Sequence, residues 1–321
     1  MTVKDQAKTV SLVLGSGGAR GYAHIGVIQW LVENGYVIKS IAGASIGAVI
    51  GGIYATGKLD SYATWARRLE RIDVVRLLDP ALSRSGLIKG DRIMVQLRKL
   101  IGDANIEDLP ISFVAVAMDF HTGKEVWLRK GNLFDAIRGS ISIPMIFTPF
   151  EMGGRYLIDG GVINPVPIAP TLNDHTDMTV VVGLSGRDEV RLARHEPQPE
   201  PQPEPASNPY RKRIRGFMDS LSRIQAGGTP PIGMVDVALK AMDTMEGEIT
   251  RFKLAAYSPD VIIEIPHNAC QMHEFWRADE LISLGKARAA RAFSRQHIGH
   301  EPSYGHDGRP EDTAPGTADT D

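Results

Sequence analysis

Residues 37–54 read VIKSIAGASIGAVIGGIY, and this stretch decides the fold. Its apolar start, Val37 to Ala42, predicts a buried strand, and the run from Ala48 to Tyr54 predicts a helix. Between them lies Gly43-Ala44-Ser45-Ile46-Gly47, a G-x-S-x-G pentapeptide. In a strand–turn–helix unit of this kind the serine sits on a strained backbone, and its hydroxyl projects at the helix N-terminus. The stretch therefore predicts an α/β fold with Ser45 as a nucleophile.

A second glycine-rich turn lies upstream. Residues 9–14 (TVSLVL) predict a buried strand, and the loop GSGGARG at 15–21 leads from it into a predicted helix. Glycines reach positive φ at little cost, so successive N–H groups can converge on one anion, either a phosphate or an oxyanion. A dinucleotide-binding G-x-G-x-x-G would need glycine where Arg20 stands, and the G-x-x-x-x-G-K-[ST] phosphate loop is missing. The loop is therefore interpreted as an oxyanion-binding loop, in which Arg20 adds positive field or forms a structural ion pair.

A third motif supplies a carboxylate. Asp159-Gly160-Gly161 follows a strand-like segment at 155–158. Catalytic groups of α/β proteins are commonly presented at strand ends, so Asp159 is predicted to be the general base. A Ser–Asp–His triad is the alternative, and His175, His267 and His273 are among the histidines that lie downstream of Asp159 and satisfy its order. None of them stands in a diagnostic setting.

Four segments together resemble the patatin-like phospholipases, and within them the bacterial RssA-type branch. They are GSGGARG (15–21), GASIG (43–47), SISIPMIFTP (140–149) and DGG (159–161), in that order, and the likeness spans roughly residues 8–185 and weakly continues to about 295. The resemblance implies a three-layer α/β/α sandwich with a mainly parallel central sheet. It also implies that Ser45 is the nucleophile and Asp159 the proton acceptor, with no metal and no cofactor. The implied oxyanion hole consists of the N–H groups of Gly17, Gly18 and Ala19, and the implied supporting residues are Gly15, Arg20, Gly43, Gly47, Gly160 and Gly161. Ser16 and Gly139 depart from the glycine and alanine that many members have there.

The expected function is hydrolysis of lipid acyl esters through an acyl-serine intermediate, as in a lysophospholipase or phospholipase A. The partners are then phospholipid, lysophospholipid or another acyl ester. A short-chain carboxylesterase or thioesterase is an alternative, because the length of the acyl pocket is a three-dimensional property. An alternative of another class is a membrane-associated regulatory protein that keeps a hydrolase scaffold without turnover.

Composition predicts one catalytic domain. The chain has 321 residues, of which 43% are hydrophobic, enough for one sizeable α/β core. The domain is predicted at 9–297, after an N-terminal extension at 1–8, with a Pro/Glu-rich loop at 187–208 and a disordered tail at 298–321. A basic amphipathic segment at 211–223 either docks on anionic lipid or packs as an ordinary helix.

The charge and the cysteine content limit the possible partners and the cellular compartment of the chain. The net charge of −2 gives no support for a nucleic-acid partner. Cys270 is the single cysteine, which fits a reducing compartment; it stands near His273 without the second pair that a zinc site needs. No secretion signal or membrane span is predicted. The chain is therefore expected to be cytoplasmic, with peripheral membrane contact as a further option.

Periodicity predicts the remaining elements. Strands are expected near 9–14, 37–42, 111–118, 124–129, 155–158, 178–184 and 260–265. Helices are expected at 22–34, 46–57, 60–70, 91–101, 133–139, 231–256 and 275–296. The Pro-containing block 140–149 is predicted to be a rigid loop that lines the site. Its residues Ile143, Met145 and Phe147 either form an acyl-chain pocket or belong to the ordinary core.

Overall fold

The computed structural model describes residues 7–81, 86–189 and 233–298. The basic segment at 211–223 lies outside the described residues, as do the Pro/Glu-rich loop beyond 189 and the tail beyond 298. The domain boundaries given above therefore stay a prediction.

Strands and helices alternate along the described chain. The strands are β1 (Thr9–Leu14), β2 (Val37–Ala44), β3 (Gly86–Ile88), β4 (Ser112–Asp119), β5 (Glu125–Leu128), β6 (Met145–Phe147), β7 (Phe150–Met152), β8 (Arg155–Asp159), β9 (Met178–Gly186) and β10 (Val261–Pro266). The helices are α1 (Tyr22–Glu33), α2 (Ile46–Ala55), α3 (Leu59–Ala66), α4 (Arg71–Leu77), α5 (Asp91–Ile101), α6 (Leu133–Ser140), α7 (Met234–Tyr257) and α8 (Ala278–Ile298).

The central sheet has the strand order β10-β9-β1-β2-β4-β8-β7. The neighbours from β10 to β4 pair in parallel, whereas β8 and β7 are antiparallel additions at one edge. β5 pairs antiparallel with β4, and β3 forms a separate parallel pair with β6. The mainly parallel sheet is thus confirmed, and its antiparallel edge is what brings β8 next to β4.

Helices cover both faces of the sheet. Leu12 and Leu14 of β1 belong to the large core cluster that also contains buried residues of α1, α2 and α8. Val13, which points the other way, belongs to a smaller cluster with Val181, and Leu254 of α7 packs against it. Strands buried on both faces are mostly apolar, and this explains the apolar runs of β4 and β9. In β1 the buried Ser11 is the exception, and its hydroxyl is hydrogen-bonded to Ser40 and Thr176.

Two predicted elements were wrong in their extent. The helix expected at 60–70 ends at Ala66, and Glu70 begins a new helix, α4, through a capping box with Asp73. The block 140–149 is not a loop throughout, because Ser140 ends α6 and residues Met145–Phe147 form β6. The short strands β3 and β6 pair with each other across the chain, and three residues are too few to show a periodicity.

Candidate active site

The register of β4 brings two motifs together. Ala44, the last residue of β2, pairs with Val116, and Asp159, the last residue of β8, pairs with the adjacent Ala117. Ser45 follows Ala44 directly, so the serine turn and the aspartate turn meet at the same point on β4. This point is the carboxyl end of the parallel strands, where α/β folds place their ligands.

Ser45 lies on a strained backbone between β2 and α2. Its φ of 55° and ψ of −124° fall outside the regions that side-chain-bearing residues favour. Such a conformation costs on the order of 1–3 kcal/mol, so the surrounding contacts must hold it. The Ser45 N–H donates to Ser140 Oγ at 3.0 Å, and this hydroxyl in turn donates to the Val116 carbonyl at 2.6 Å. The serine turn is thereby anchored to β4.

Gly47 is required by a close approach. A Cβ built on Gly47 would lie 2.1 Å from the Leu14 carbonyl oxygen, far inside van der Waals contact. The first turn of α2 therefore packs directly on the end of β1. Gly43 is constrained in the same way, since its Cβ would lie 2.4 Å from the carbonyl of Gly47.

Ser45 and Asp159 form a buried hydrogen-bonded pair. Ser45 Oγ donates to Asp159 Oδ2 at 2.6 Å, and the Gly161 N–H donates to Asp159 Oδ1 at 2.7 Å. The two residues are 4% and 2% exposed. Burial raises the pKa of Asp159 to about 8, the negative charge of Glu246 raises it too, and the hydrogen bonds from Ser45 and Gly161 oppose the shift. The carboxyl group is thus a much stronger base than an exposed aspartate.

The glycine loop lies beside this pair. The Gly15 N–H donates to the Val182 carbonyl at 3.0 Å, and the Ser16 N–H donates to the Pro165 carbonyl at 2.9 Å, which fixes the loop to its neighbours. Gly17 and Gly18 follow with φ of 153° and 59°. Both line one cavity together with Ser45 and Asp159.

Arg20 is buried and forms a structural ion pair. Its Nε donates to the Gly17 carbonyl at 3.1 Å, and one terminal nitrogen lies 3.1 Å from Asp243 Oδ1. The other terminal nitrogen donates to the His267 carbonyl at 3.2 Å. Of the two roles considered for Arg20, the geometry shows the ion pair, and the same side chain orients the peptide between Gly17 and Gly18.

The Ala19 N–H, predicted to be an oxyanion donor, has another hydrogen-bond partner. It donates to the Met272 carbonyl at 2.9 Å, so it is not free to bind an oxyanion in this arrangement. Met272 also covers Gly18, since a Cβ on Gly18 would lie 2.3 Å from Met272 Cγ. The segment that contains Met272 therefore caps the glycine loop. No feature of the sequence near Met272 indicates this contact.

The three histidines considered for a triad lie elsewhere. His267 Nε2 is 2.5 Å from Asp243 Oδ2, His273 packs edge-on against Trp276, and His175 is exposed. None of the three lines the Ser45 cavity. His24 Nε2 lies 2.9 Å from the Gly15 carbonyl, and burial lowers the pKa of His24 to about 4. A neutral His24 thus donates to Gly15 and supports the loop.

Ser140 and Glu246 are among the residues of the site that sequence reasoning missed. Ser140, which begins the quoted segment SISIPMIFTP, accepts a hydrogen bond from the Ser45 N–H. Glu246 of α7 lines the cavity and accepts a hydrogen bond from Ser16 Oγ at 2.7 Å. A glutamate in a long amphipathic helix is usually solvated, so nothing in the sequence distinguishes Glu246. Of the three side chains considered for an acyl pocket, Ile143 lines the cavity, and Phe147 packs in the adjoining cluster around Ile88 and Ile146.

Two further observations concern metals and membranes. Within the described ranges, no group of three or more His, Cys, Asp or Glu is arranged to hold a metal ion. Cys270 is buried, and burial raises the pKa of its thiol to about 12. None of the described helices has the length and apolar character needed to cross a bilayer.

Comparison with known proteins gives the family. The sequence model of the family described as "Patatin-like phospholipase" matches residues 12–172. A Mycobacterium tuberculosis protein named as an uncharacterized NTE family protein is 37% identical over 339 residues, which covers 92% of this chain and 94% of the relative. A Caenorhabditis elegans protein named as patatin-like phospholipase domain-containing is 30% identical over 229 residues, covering 69% of this chain and 16% of the relative.

Among solved structures, the crystal structure of VipD from Legionella pneumophila is similar with a TM-score of 0.45 and 13% identity, covering 91% of this chain and 67% of that one. The resemblance to the RssA-type branch stays a prediction. The family match covers the strand, elbow and aspartate turn described above, and the mycobacterial relative extends the likeness over nearly the whole chain. The chain therefore belongs to the patatin-like phospholipase family and is a lipid acyl hydrolase.

Proposed function

We propose that this chain hydrolyses the carboxylic esters of phospholipids or lysophospholipids through a Ser45–Asp159 dyad and a covalent acyl-serine. The observation that carries the proposal is the 2.6 Å hydrogen bond from Ser45 Oγ to Asp159 Oδ2 in a buried site. A serine hydroxyl is a weak nucleophile until a neighbouring base takes its proton. In this proposal Asp159 is that base, and the hydrogen bond that it accepts from the serine hydroxyl supports the assignment.

In the first half-reaction, Ser45 Oγ attacks the ester carbonyl carbon while its proton passes to Asp159. The carbonyl oxygen becomes an oxyanion in the tetrahedral intermediate. The bond to the alcohol then breaks, and Asp159 returns the proton to the leaving alkoxide. The product alcohol departs, and the acyl group stays on Ser45.

In the second half-reaction, a water molecule replaces the alcohol. Asp159 takes a proton from the water as its oxygen attacks the acyl carbon. When the second tetrahedral intermediate collapses, the proton passes to Ser45 Oγ and the fatty acid leaves. One residue acts as base and then as acid in each half, as microscopic reversibility requires. A pKa raised to about 8 suits both roles, because it lies near neutral pH.

Gly17 and Gly18 are the proposed oxyanion donors. The C=O and N–H of one trans peptide point in opposite directions. Arg20 donates to the Gly17 carbonyl, so the Gly18 N–H of the same peptide points away from the Arg20 side chain. Removal of one oxyanion donor costs about 2.7–4 kcal/mol in other hydrolases, so two donors are a large part of the catalysis. Ala19 becomes a third donor only when its bond to Met272 breaks.

The test compares the purified wild type with Ser45→Ala. Fatty-acid release is measured from lysophosphatidylcholine, from intact phosphatidylcholine and from a short-chain p-nitrophenyl ester. We expect Ser45-dependent release from at least one lipid. Asp159→Asn serves as a second variant, and full activity in that variant would contradict the dyad.

The other outcomes identify the alternatives. Turnover of the short ester alone would indicate a small-molecule esterase, and a thioester substrate would then separate thioesterase from carboxylesterase activity. Absence of Ser45-dependent turnover, together with lipid binding that is equal in wild type and Ser45→Ala, would indicate a regulatory protein on a hydrolase scaffold.

A further inference from the structure

Helix α7 covers the catalytic pair. The cavity at Ser45 and Asp159 is lined by side chains of α7, namely Leu239, Met242, Asp243 and Glu246, and by Met272. Its volume is about 10 Å³. This is room for roughly one water molecule. A fatty acyl ester therefore cannot reach Ser45 in this arrangement, and α7 has to move before a lipid can enter.

Two polar contacts fasten the inner face of α7 to the glycine loop. Ser16 Oγ donates to Glu246 Oε2 at 2.7 Å, and the Arg20 guanidinium lies 3.1 Å from Asp243 Oδ1. Both partners on the loop lie within a few residues of the proposed oxyanion donors. Movement of α7 would therefore open the cavity and free the loop at the same time.

The apolar contacts of α7 occupy space next to Ser45. Leu239 belongs to a small cluster with Ile88 and Ile146, against which Ile143, Phe147 and Met272 pack. Leu239, Ile143 and Met272 also line the Ser45 cavity. Withdrawal of Leu239 would leave an apolar cleft, lined by Ile143 and Met272, that leads to the nucleophile. Such a cleft has the chemistry of an acyl-chain site.

The outer face of α7 exposes three large apolar side chains. Val237, Met245 and Phe252 are 57%, 55% and 75% exposed. Successive members are seven or eight residues apart, close to two helical turns, so they form one stripe. We call Val237, Met245 and Phe252 the α7 stripe. An exposed apolar stripe beside polar residues is typical of a surface that contacts another molecule.

The residues beside the stripe suit a lipid surface. Lys240 and Arg251 are 61% and 70% exposed in their side chains, each in an ion pair with an acidic residue three positions away on the helix. Basic side chains flanking an apolar face are the mark of a helix that lies in the membrane interface, with cations near the headgroup phosphates. The chain is a lipid acyl hydrolase, so its substrate itself offers such a surface.

We propose that the α7 stripe docks on the surface of a lipid bilayer or micelle, and that docking draws α7 away from the catalytic cavity. The inference rests on the proposed function for the identity of the nucleophile beneath the helix. Transfer of the stripe from water into the acyl layer is favourable and offsets the loss of the contacts to Ser16, Arg20 and His267. The catalytic cavity is then closed while the enzyme is in water, and it opens when the enzyme docks on a lipid surface.

Docking is tested without turnover. Full-length Ser45→Ala protein, alone or with Met245→Ser/Phe252→Ser, is sedimented with vesicles of ether-linked phosphatidylcholine and phosphatidylglycerol, which contain no ester to cleave. The matched control carries Val95→Ser/Leu172→Ser, whose original side chains are 51% and 59% exposed and lie outside α7. We expect the stripe variant to lose about tenfold or more in vesicle affinity and the control to keep it. Circular dichroism confirms that each variant is folded.

Opening is tested with a soluble ester. In proteins that keep Ser45, the same vesicles should raise the turnover of p-nitrophenyl acetate in the wild type and the control, and not in the stripe variant. Stripe-dependent binding without this rise would overturn the opening step. Equal vesicle binding by stripe variant and control would overturn docking. Failure of Ser45-dependent turnover would refute the proposed function, while the sedimentation result would still decide whether the stripe docks.

Discussion

Asp159→Asn should make the protein more stable while it abolishes activity. The carboxyl group of Asp159 is buried, and burial raises its pKa from 3.8 to about 8. Between these two values the native state holds one proton that the unfolded state has lost. The free energy of unfolding of the wild type must then fall as the pH rises, because ionisation favours the unfolded chain. Asparagine removes this dependence and keeps the shape of the side chain.

The size of the effect follows from the pKa difference. One proton corresponds to about 1.4 kcal/mol per pH unit. From pH 5 to pH 7 the wild type should therefore lose about 2.7 kcal/mol relative to Asp159→Asn. Over the whole interval of about four pH units the limit is about 6 kcal/mol. Above about pH 8 the group is ionised in both states, so the difference becomes constant.

The assay is urea unfolding of both proteins from pH 4 to pH 9. Groups other than Asp159 titrate in both proteins and cancel to a first approximation in the difference between the two curves. We expect the curves to meet near pH 4 and to diverge as the pH rises, with the variant more stable. Parallel curves throughout would refute the reasoning, since Asp159 would then have an ordinary pKa in the native protein.

Three further predictions concern the surroundings of the dyad. The kcat/KM of the wild type for a short-chain ester should rise with pH through about 8, because Asp159 must lose its proton to act as base. Glu246→Gln should move this rise to lower pH by removing a negative charge, and an unshifted pH–rate profile would contradict the role of Glu246. Ser140→Ala removes the hydroxyl that binds the Ser45 N–H and the Val116 carbonyl, so the free energy of unfolding measured in urea should fall by about 2 kcal/mol or more. A fall of less than about 0.5 kcal/mol would show that these two hydrogen bonds are dispensable. Gly47→Ala should strongly lower the midpoint of thermal unfolding, because the new Cβ would lie 2.1 Å from the Leu14 carbonyl oxygen. The control Gly183→Ala, whose Cβ would have its nearest neighbour at 3.9 Å, should change the midpoint little, and equal midpoints for the two variants would refute the close approach.

Much of the fold followed from local patterns. The apolar runs of β1, β4 and β9 mark strands that are buried on both faces, and glycine-rich turns mark the points where the chain leaves the sheet. These signals are short-range, so they are visible without knowledge of the partners. Elements that depend on a distant partner were missed, namely β3 and β6, which are three residues each and stabilise one another.

By itself, the sequence determined the α/β class, the serine elbow at Ser45 and the candidate base Asp159, because each of these depends on residue types at fixed spacing. Only the tertiary structure decided what surrounds them. The register of β4 places Ser45 against Asp159. The packing of α7 beside the glycine loop places Glu246 in the cavity. The capture of the Ala19 N–H by Met272 joins residues far apart in the chain. Such contacts arise when separate elements pack around one core, and no local pattern encodes which side chains will meet there.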